Sequence, residues 1–175
     1  QNEETTTYFT LLSTINFSST NLRPYDNFEA YLEASGMGNG VANDDSVTTS
    51  NIVGITILNI SSKAISDLTG IEDFTALTSL SCYSNQLTNL DVSNNTALTS
   101  LRCYSNQLTN LDVSNNTALT SLRCYSNQLT NLDVSQNTAL DYLNCQFNQL
   151  TNLDVINNTA LTVLYCGFNQ LTTLD

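Results

Sequence analysis

Apolar and polar positions alternate in short segments along most of the chain, most clearly in "LTSLRCYSNQLTNLDVSNNTA" at residues 98–118. In the first half of this segment, Leu101 and Cys103 alternate with Arg102 and Tyr104. Successive side chains of a β-strand point to opposite faces of a sheet, so this alternation is typical of a strand with one buried face. We therefore predict a short strand here, with the leucine and the cysteine directed into a core.

The second half of the same segment has a similar pattern. Leu111 and Val113 alternate with Asn110 and Asp112, which predicts another, shorter strand. Each segment of this kind would therefore supply two strands to one coil of chain.

The segment recurs at a constant interval of 21 residues. Copies begin at Leu77, Leu98, Leu119, Leu140 and Leu161, the last of them cut short, and a more divergent unit begins at Ile55. One unit cannot bury its own leucines, but stacked units share a continuous core. Residues 55–175 are therefore predicted to form a mainly β, right-handed solenoid, with a parallel sheet on one face and a second sheet of short strands opposite.

Residues 1–54 precede the repeats and are predicted to form an N-terminal segment and cap. Within them, "DNFEAYLEAS" at 26–35 places Phe28 and Leu32 on one face of a short helix. Asp26 is suited to the N-cap position, where a side-chain oxygen accepts a hydrogen bond from the first turn. We expect this helix to cover the open end of the first coil.

The pattern LxxLxCxxNxLxxLDVxxN resembles the leucine-rich repeat, specifically the nested 21-residue class of bacterial surface proteins. The resemblance covers residues 55–175, and "GIEDF" at 70–74 together with the N-terminal stretch is similar to the cap of Bacteroidetes repeat proteins. It implies a curved solenoid that binds partners through the strands of its concave face, usually without catalysis. Cysteine stands where many relatives have leucine.

Each repeat position becomes a column when the coils stack. One inward column consists of Cys82, Cys103, Cys124, Cys145 and Cys166. We expect these to be free thiols that act as small apolar side chains, because their parallel Cβ directions oppose disulfide formation. A second column, at the turn after the first strand, consists of Asn85, Asn106, Asn127, Asn148 and Asn169. We expect these amides to form a structural ladder that bonds the backbone of the next coil.

A column of carboxylates is predicted on the second strand. It consists of Asp91, Asp112, Asp133 and Asp154, and Asp175 is the next member. Neighbouring members would repel each other by roughly 1 kcal/mol in water. We expect hydrogen bonds from nearby threonine and asparagine groups to offset this repulsion, with weakly bound calcium as the alternative. The sequence predicts no other metal or cofactor, since it has no histidine and no CxxC pair.

Differences between the repeats concentrate on one face. Thirteen positions differ from 98–118 in the other regular repeats, and ten of them fall on outward or edge positions of the first strand. The candidate ligand-binding residues on this face are Tyr83, Arg102, Tyr104, Arg123, Tyr125, Tyr142, Asn144, Phe147, Tyr165 and Phe168. Tyrosine and arginine are enriched at binding hot spots. Stacking of aromatic rings that merely stabilises the sheet is the alternative.

Charge limits the classes of partner. The chain has 16 acidic and 4 basic residues, a net charge of −12, and only 11% charged residues. It therefore has no basic surface for nucleic acid or anionic lipid. No apolar run is long enough to span a membrane. A surface built mainly of uncharged polar residues favours a secreted or cell-surface location.

The sequence favours a binding protein over an enzyme. It has no histidine, no nucleophile beside a base and no phosphate-binding glycine loop. We predict an extracellular adhesion module that binds a protein or a glycan through the concave strand face. The alternative is a structural spacer, or a subunit of a larger surface or outer-membrane assembly.

Overall fold

The computed structural model describes residues 14–16, 27–41 and 46–172. Its N-terminal part contains strand β1 (Thr14–Asn16), helix α1 (Asn27–Ala34), strand β2 (Ser46–Thr48) and the short helix α2 (Thr49–Ile52). Strands β1 and β2 pair antiparallel in a two-stranded sheet. The chain then enters the repeats.

A parallel sheet of six strands runs along the repeats. Its strands are β3 (Ile57–Asn59), β4 (Ser79–Ser81), β5 (Ser100–Arg102), β6 (Ser121–Arg123), β7 (Tyr142–Asn144) and β8 (Val163–Tyr165). A 3-10 turn at Ile71–Asp73 lies between β3 and β4. Strands pair in sequence order, and each residue faces the same repeat position in the next coil. The prediction of a mainly β solenoid with a parallel sheet is therefore confirmed.

The core lies inside the coils and runs along the stack. In the coil that begins at Leu98, the buried apolar side chains are Leu98, Leu101, Cys103, Leu108, Leu111 and Val113. Burying one aliphatic side chain contributes about 1.5–3 kcal/mol. Both halves of the repeat supply such side chains, so the alternation correctly predicted which residues face inward in each half.

The second sheet predicted for the opposite face is wrong for the part of the chain that the structure describes. Residues 108–116 form no strand, although Leu111 and Val113 are buried. Two side chains bond backbone groups that would otherwise pair between strands of a second sheet. Asp112 accepts the N–H of Ser114, and Asn137 donates to the carbonyl of Val113. Such side-chain bonds compete directly with strand pairing.

Helix α1 packs against the first coil. The ring of Phe28 lies 6.2 Å from that of Phe74, measured between centroids, and the hydroxyl of Tyr31 donates to the carbonyl of Asn59 at 3.0 Å. The helix predicted at 26–35 is thus present and contacts the end of the stack. The predicted cap residue, Asp26, lies outside the described residues.

Candidate binding face on the parallel sheet

The outward side of the parallel sheet, together with the turn that follows each strand, is called the strand face below. Four columns of side chains from the five regular coils cross it. They are Ser79–Ser100–Ser121–Tyr142–Val163, Ser81–Arg102–Arg123–Asn144–Tyr165, Tyr83–Tyr104–Tyr125–Gln146–Gly167 and Ser84–Ser105–Ser126–Phe147–Phe168. All ten candidate ligand-binding residues lie in these columns. The one-coil register of the sheet brings members of each column side by side.

Three tyrosines form a continuous stack on the strand face. Ring centroids of Tyr83 and Tyr104 are 4.4 Å apart and those of Tyr104 and Tyr125 are 4.3 Å apart, with the rings nearly parallel. Burial between its two neighbours, together with their hydroxyl groups, raises the pKa of Tyr104 to about 12. Since the ring faces contact each other, the stack leaves ring edges and hydroxyl groups for contact with a partner.

The aromatic column shifts by one residue in the last two described coils. Phe147 and Phe168 stack at 4.3 Å, one position after the tyrosine column, while Gln146 and Gly167 continue that column without rings. Both phenylalanines have a left-handed backbone, with φ of 53° and 56°. Serine occupies this position in the three preceding coils. The left-handed conformation is unusual for a bulky residue. Phe147 is 49% exposed and Phe168 is 70% exposed.

The two arginines of the strand face lie next to each other. Arg102 of β5 pairs in register with Arg123 of β6. The guanidinium of Arg123 lies over the ring of Tyr142, 4.7 Å from its centroid, and its Nε is buried without a hydrogen-bond acceptor. Tyr142 also contacts Tyr165, with centroids 6.0 Å apart and tilted rings. These contacts join the arginine pair to the two tyrosines of the last two coils.

Asn144 differs from the other candidates because its side chain is engaged with the backbone. Its Oδ1 accepts the N–H of Gln146 at 3.2 Å. The strand face therefore has four parts: the tyrosine stack, the arginine pair, the Tyr142–Tyr165 pair and the Phe147–Phe168 pair. Asn144 lies between them and helps to hold the turn.

The predicted asparagine ladder lies along the edge of this face. Asn106 accepts the N–H of Leu87 through Oδ1 at 3.1 Å and donates through Nδ2 to the carbonyls of Cys82 and Cys103, both at 3.0 Å. Two of these three bonds reach the preceding coil, so the prediction that the amides bond the next coil had the direction reversed. Asn85, Asn127, Asn148 and Asn169 make equivalent bonds.

A second asparagine ladder was missed by the sequence analysis. It consists of Asn95, Asn116, Asn137 and Asn158, which are almost completely buried. Asn116 donates to the carbonyls of Val92 and Asn95 in the preceding coil, at 3.0 and 2.9 Å. Its Oδ1 has no partner among the described residues. The signal was present in the sequence, because these asparagines recur every 21 residues in the "NNTA" and "QNTA" segments.

The cysteine column lies in the core behind the strand face. All five cysteines are free, which confirms the prediction of unpaired thiols, and only Cys166 is partly accessible. Burial raises the pKa of Cys82 to about 12. For Cys103 and Cys124, burial and then the adjacent cysteines raise the pKa well above its usual value. The column therefore serves as apolar packing.

We expect one reactive thiol in the folded protein. Thiolate is the reactive form of cysteine, and burial opposes its formation in all but the last described coil. Titration with Ellman's reagent at pH 8 should release one equivalent rapidly, and five equivalents after unfolding. Cys166→Ser should remove the fast phase. Rapid release of two or more equivalents from the folded protein would contradict the packing of the column.

The aspartate column is exposed, and the hydrogen bonds that offset its repulsion differ from those predicted. Asp91, Asp112 and Asp133 each accept the backbone N–H of the serine two residues later, rather than bonds from threonine or asparagine. Bonds from these serines lower the pKa of all three carboxyl groups. Asp154 makes the same contact with the N–H of Ile156. No group of three potential metal ligands occurs among the described residues.

No helix in the described ranges is long and apolar enough to cross a membrane.

Comparison with known proteins identifies the fold through solved structures. No protein-family model and no curated protein matches the chain. Among solved structures, the functional domain of InlJ from Listeria monocytogenes, described as including a cysteine ladder, is 45% identical with a TM-score of 0.80. The match covers 93% of this chain and 35% of that one. A leucine-rich-repeat protein of Leptospira interrogans is 30% identical, with a TM-score of 0.65, over 67% of this chain and 32% of that one.

A third structure shows the fold alone. The internalin InlF of Listeria monocytogenes is 22% identical with a TM-score of 0.55, over 84% of this chain and 57% of that one. The chain spans about a third of the length of the InlJ domain and of the Leptospira protein. It has the fold of a leucine-rich-repeat solenoid.

Proposed function

We propose that the chain is a binding module whose strand face recognises a protein partner outside the cell. The observation that carries this proposal is that core and turn residues are constant between the repeats, whereas residues of the strand face vary. Leucine, cysteine and asparagine columns repeat without change in the five regular coils, whereas ten differences collect on outward or edge positions of the strands. Solenoids generally use such an extended face to bind their partners.

The geometry of the rings favours a protein over a glycan. Sugars stack on the faces of aromatic rings, but the faces of Tyr104 are covered by Tyr83 and Tyr125. Ring edges, hydroxyl groups and the guanidinium groups of Arg102 and Arg123 remain available outward. These groups are typical of protein-binding hot spots. Glycan binding is the alternative.

Other parts of the proposal rest on composition and on the 21-residue period. The period supports assignment to the nested class of bacterial leucine-rich repeats, and the low charge density supports a secreted or cell-surface location. A Bacteroidetes origin and membership in a larger surface assembly stay predictions.

Catalysis is not part of the proposed function. The sequence contains no histidine, and Asp91, Asp112 and Asp133 form an exposed column instead of converging in a cleft. The hypothesis of a calcium-binding aspartate column also stays a prediction.

The proposal is tested by probing an array of purified extracellular proteins and oligosaccharides with the fluorescently labelled chain. We expect saturable binding to at least one protein. Binding to oligosaccharides alone would contradict a protein partner. Copurification of the chain in a stoichiometric complex that leaves the strand face accessible to labelling would favour the spacer alternative.

A further inference from the structure

The arrangement of positive charge on the strand face is unusual for so acidic a protein. Acidic residues outnumber basic ones by 16 to 4, yet two of the four basic residues, Arg102 and Arg123, occupy adjacent positions in one column. Neither forms an ion pair with any carboxylate in the described ranges. Like charges in register repel each other, so the pairing of the two arginines does not itself stabilise the sheet.

One of these guanidinium groups is also incompletely satisfied. Nε of Arg123 is buried and has no hydrogen-bond partner within the described part of the chain. Its guanidinium lies 4.7 Å from the ring centroid of Tyr142, which limits the directions that the group can take. A planar guanidinium fixed in this way is suited to a carboxylate, which it can bind through two hydrogen bonds. An incoming carboxylate would offset half of the charge of the pair.

Exposed aromatic side chains lie on the same face as the arginine pair. Phe147 and Phe168 are 49% and 70% exposed, and Tyr165 is 47% exposed. The phenylalanines hold a left-handed backbone conformation that serine occupies in the other coils. Serine would fit this backbone with less exposed apolar surface, so folding alone does not explain the phenylalanines. Strained residues of this kind cluster at functional sites.

The spacing between the two features can be estimated from the geometry of the sheet. Two coils of about 4.8 Å each separate the arginine pair from the phenylalanine pair, and the columns are also offset by three residues along the strand. The separation is therefore roughly 10–14 Å, the length of three to four residues of extended chain. One short segment of a partner can reach both features.

We infer that the strand face binds an extended segment of the partner protein in which an acidic side chain pairs with Arg102 and Arg123 and an apolar side chain, three or four residues away, packs on Phe147 and Phe168. This inference rests on the proposed function, since it names the chemistry of the partner for the same face. The net charge of −12 repels long polyanions, so a segment with one or two carboxylates fits better than a highly acidic polymer.

The chain itself supplies matched substitutions for a test. Arg102→Ser and Arg123→Asn introduce the residues found in the same column at Ser81 and Asn144. Phe147→Ser and Phe168→Ser introduce the serine found in this column in three other coils. Each replacement is already compatible with the repeat, so both double variants are expected to fold. Circular dichroism and thermal melting verify this before binding is measured.

The experiment selects phage-displayed random dodecapeptides on the immobilised wild-type chain and measures the affinity of the enriched peptides. We expect aspartate or glutamate three or four residues from a leucine, isoleucine or aromatic residue. The arginine double variant should bind these peptides about 10- to 100-fold more weakly, the loss expected for a charged hydrogen bond. The phenylalanine double variant should retain the preference for acid and lose the preference for the apolar residue.

Three results would overturn the inference: enrichment of peptides without acidic residues, equal affinity for the arginine variant, or arginine-dependent binding confined to acidic oligosaccharides. Failure of the inference is distinguishable from failure of the proposed function. A partner found on the array that is lost when Arg102, Tyr104 and Tyr125 become alanine, but is unaffected by Arg102→Ser/Arg123→Asn, contradicts the inference alone. A partner that tolerates both variants contradicts the proposed function as well.

Discussion

Replacing Asn106 by alanine is expected to lower the free energy of unfolding by about 2–5 kcal/mol, because it removes three buried hydrogen bonds and leaves the N–H of Leu87 without a partner. Asn106 bonds the N–H of Leu87 and the carbonyls of Cys82 and Cys103. The unsatisfied N–H costs about 1–3 kcal/mol and each of the two other lost bonds about 0.5–1.5 kcal/mol, since the carbonyls of Cys82 and Cys103 still accept from Asn85 and Asn127. Partial access of water to the new cavity reduces the total.

The effect should extend beyond the mutated coil. Stability in a solenoid is a property of neighbouring coils, and Asn106 joins its own coil to the preceding one. Urea unfolding followed by circular dichroism measures the loss. Asn110→Ala is the matched control, since Asn110 is exposed in the same coil and should change stability by less than about 0.5 kcal/mol. Equal losses for the two variants would show that the ladder has no special role.

The largest effect on binding is expected for the triple variant in which Arg102, Tyr104 and Tyr125 become alanine. Hot-spot residues contribute about 2 kcal/mol or more each, although their effects are not additive. We therefore expect affinity for the partner to fall at least about 100-fold. Loss of the two contacts in the tyrosine stack should cost about 1–3 kcal/mol of stability, so the protein should remain folded.

A variant on the other side of the coil serves as the control. Thr109, Asn110 and Thr130 are exposed in the second half of the repeat, away from the strands. Their replacement by alanine should leave affinity within about twofold of wild type, since they lie outside the strand face. Surface plasmon resonance with the immobilised partner compares the three proteins. Affinity equal to that of the wild type in a folded triple variant would show that the strand face is not the binding site.

Much of the architecture was predictable because the same pattern of apolar and polar residues recurs in every repeat. The constant interval defines one coil per unit, and the alternation around Leu101 defines which side chains face inward. The free cysteines and the first asparagine ladder were predictable for the same reason: one column position has one environment in every coil. A single copy of "LRCYSN" would not have shown this.

The parts that were wrong or missed depend on local backbone bonding. Alternation around Leu111 and Val113 correctly predicted burial, but not that Asp112 and Asn137 would occupy the backbone groups needed for a second sheet. The buried Asn116 was missed because an asparagine beside a turn is usually exposed. Burial pattern and hydrogen-bond pattern are separate properties, and only the first follows from hydropathy.

The candidate binding face was predictable as a set of positions but not as an arrangement. Sequence differences identified the outward columns, whereas the parallel stacking of Tyr104 on its neighbours required coordinates. The left-handed backbone at Phe147 could not be predicted from the sequence either, because serine and phenylalanine occupy the same repeat position and neither indicates that conformation. Which residues bind a partner stays a prediction.

Photocrosslinking tests most directly whether the strand face contacts the partner. Benzoylphenylalanine is introduced at Tyr104, on the strand face, or at Asp112, in the exposed second half of the same repeat. Each protein is irradiated in the presence of the partner found on the array. We predict a covalent adduct from position 104 and little or none from position 112. Adducts from position 112 alone, with both proteins folded, would contradict binding through the strand face.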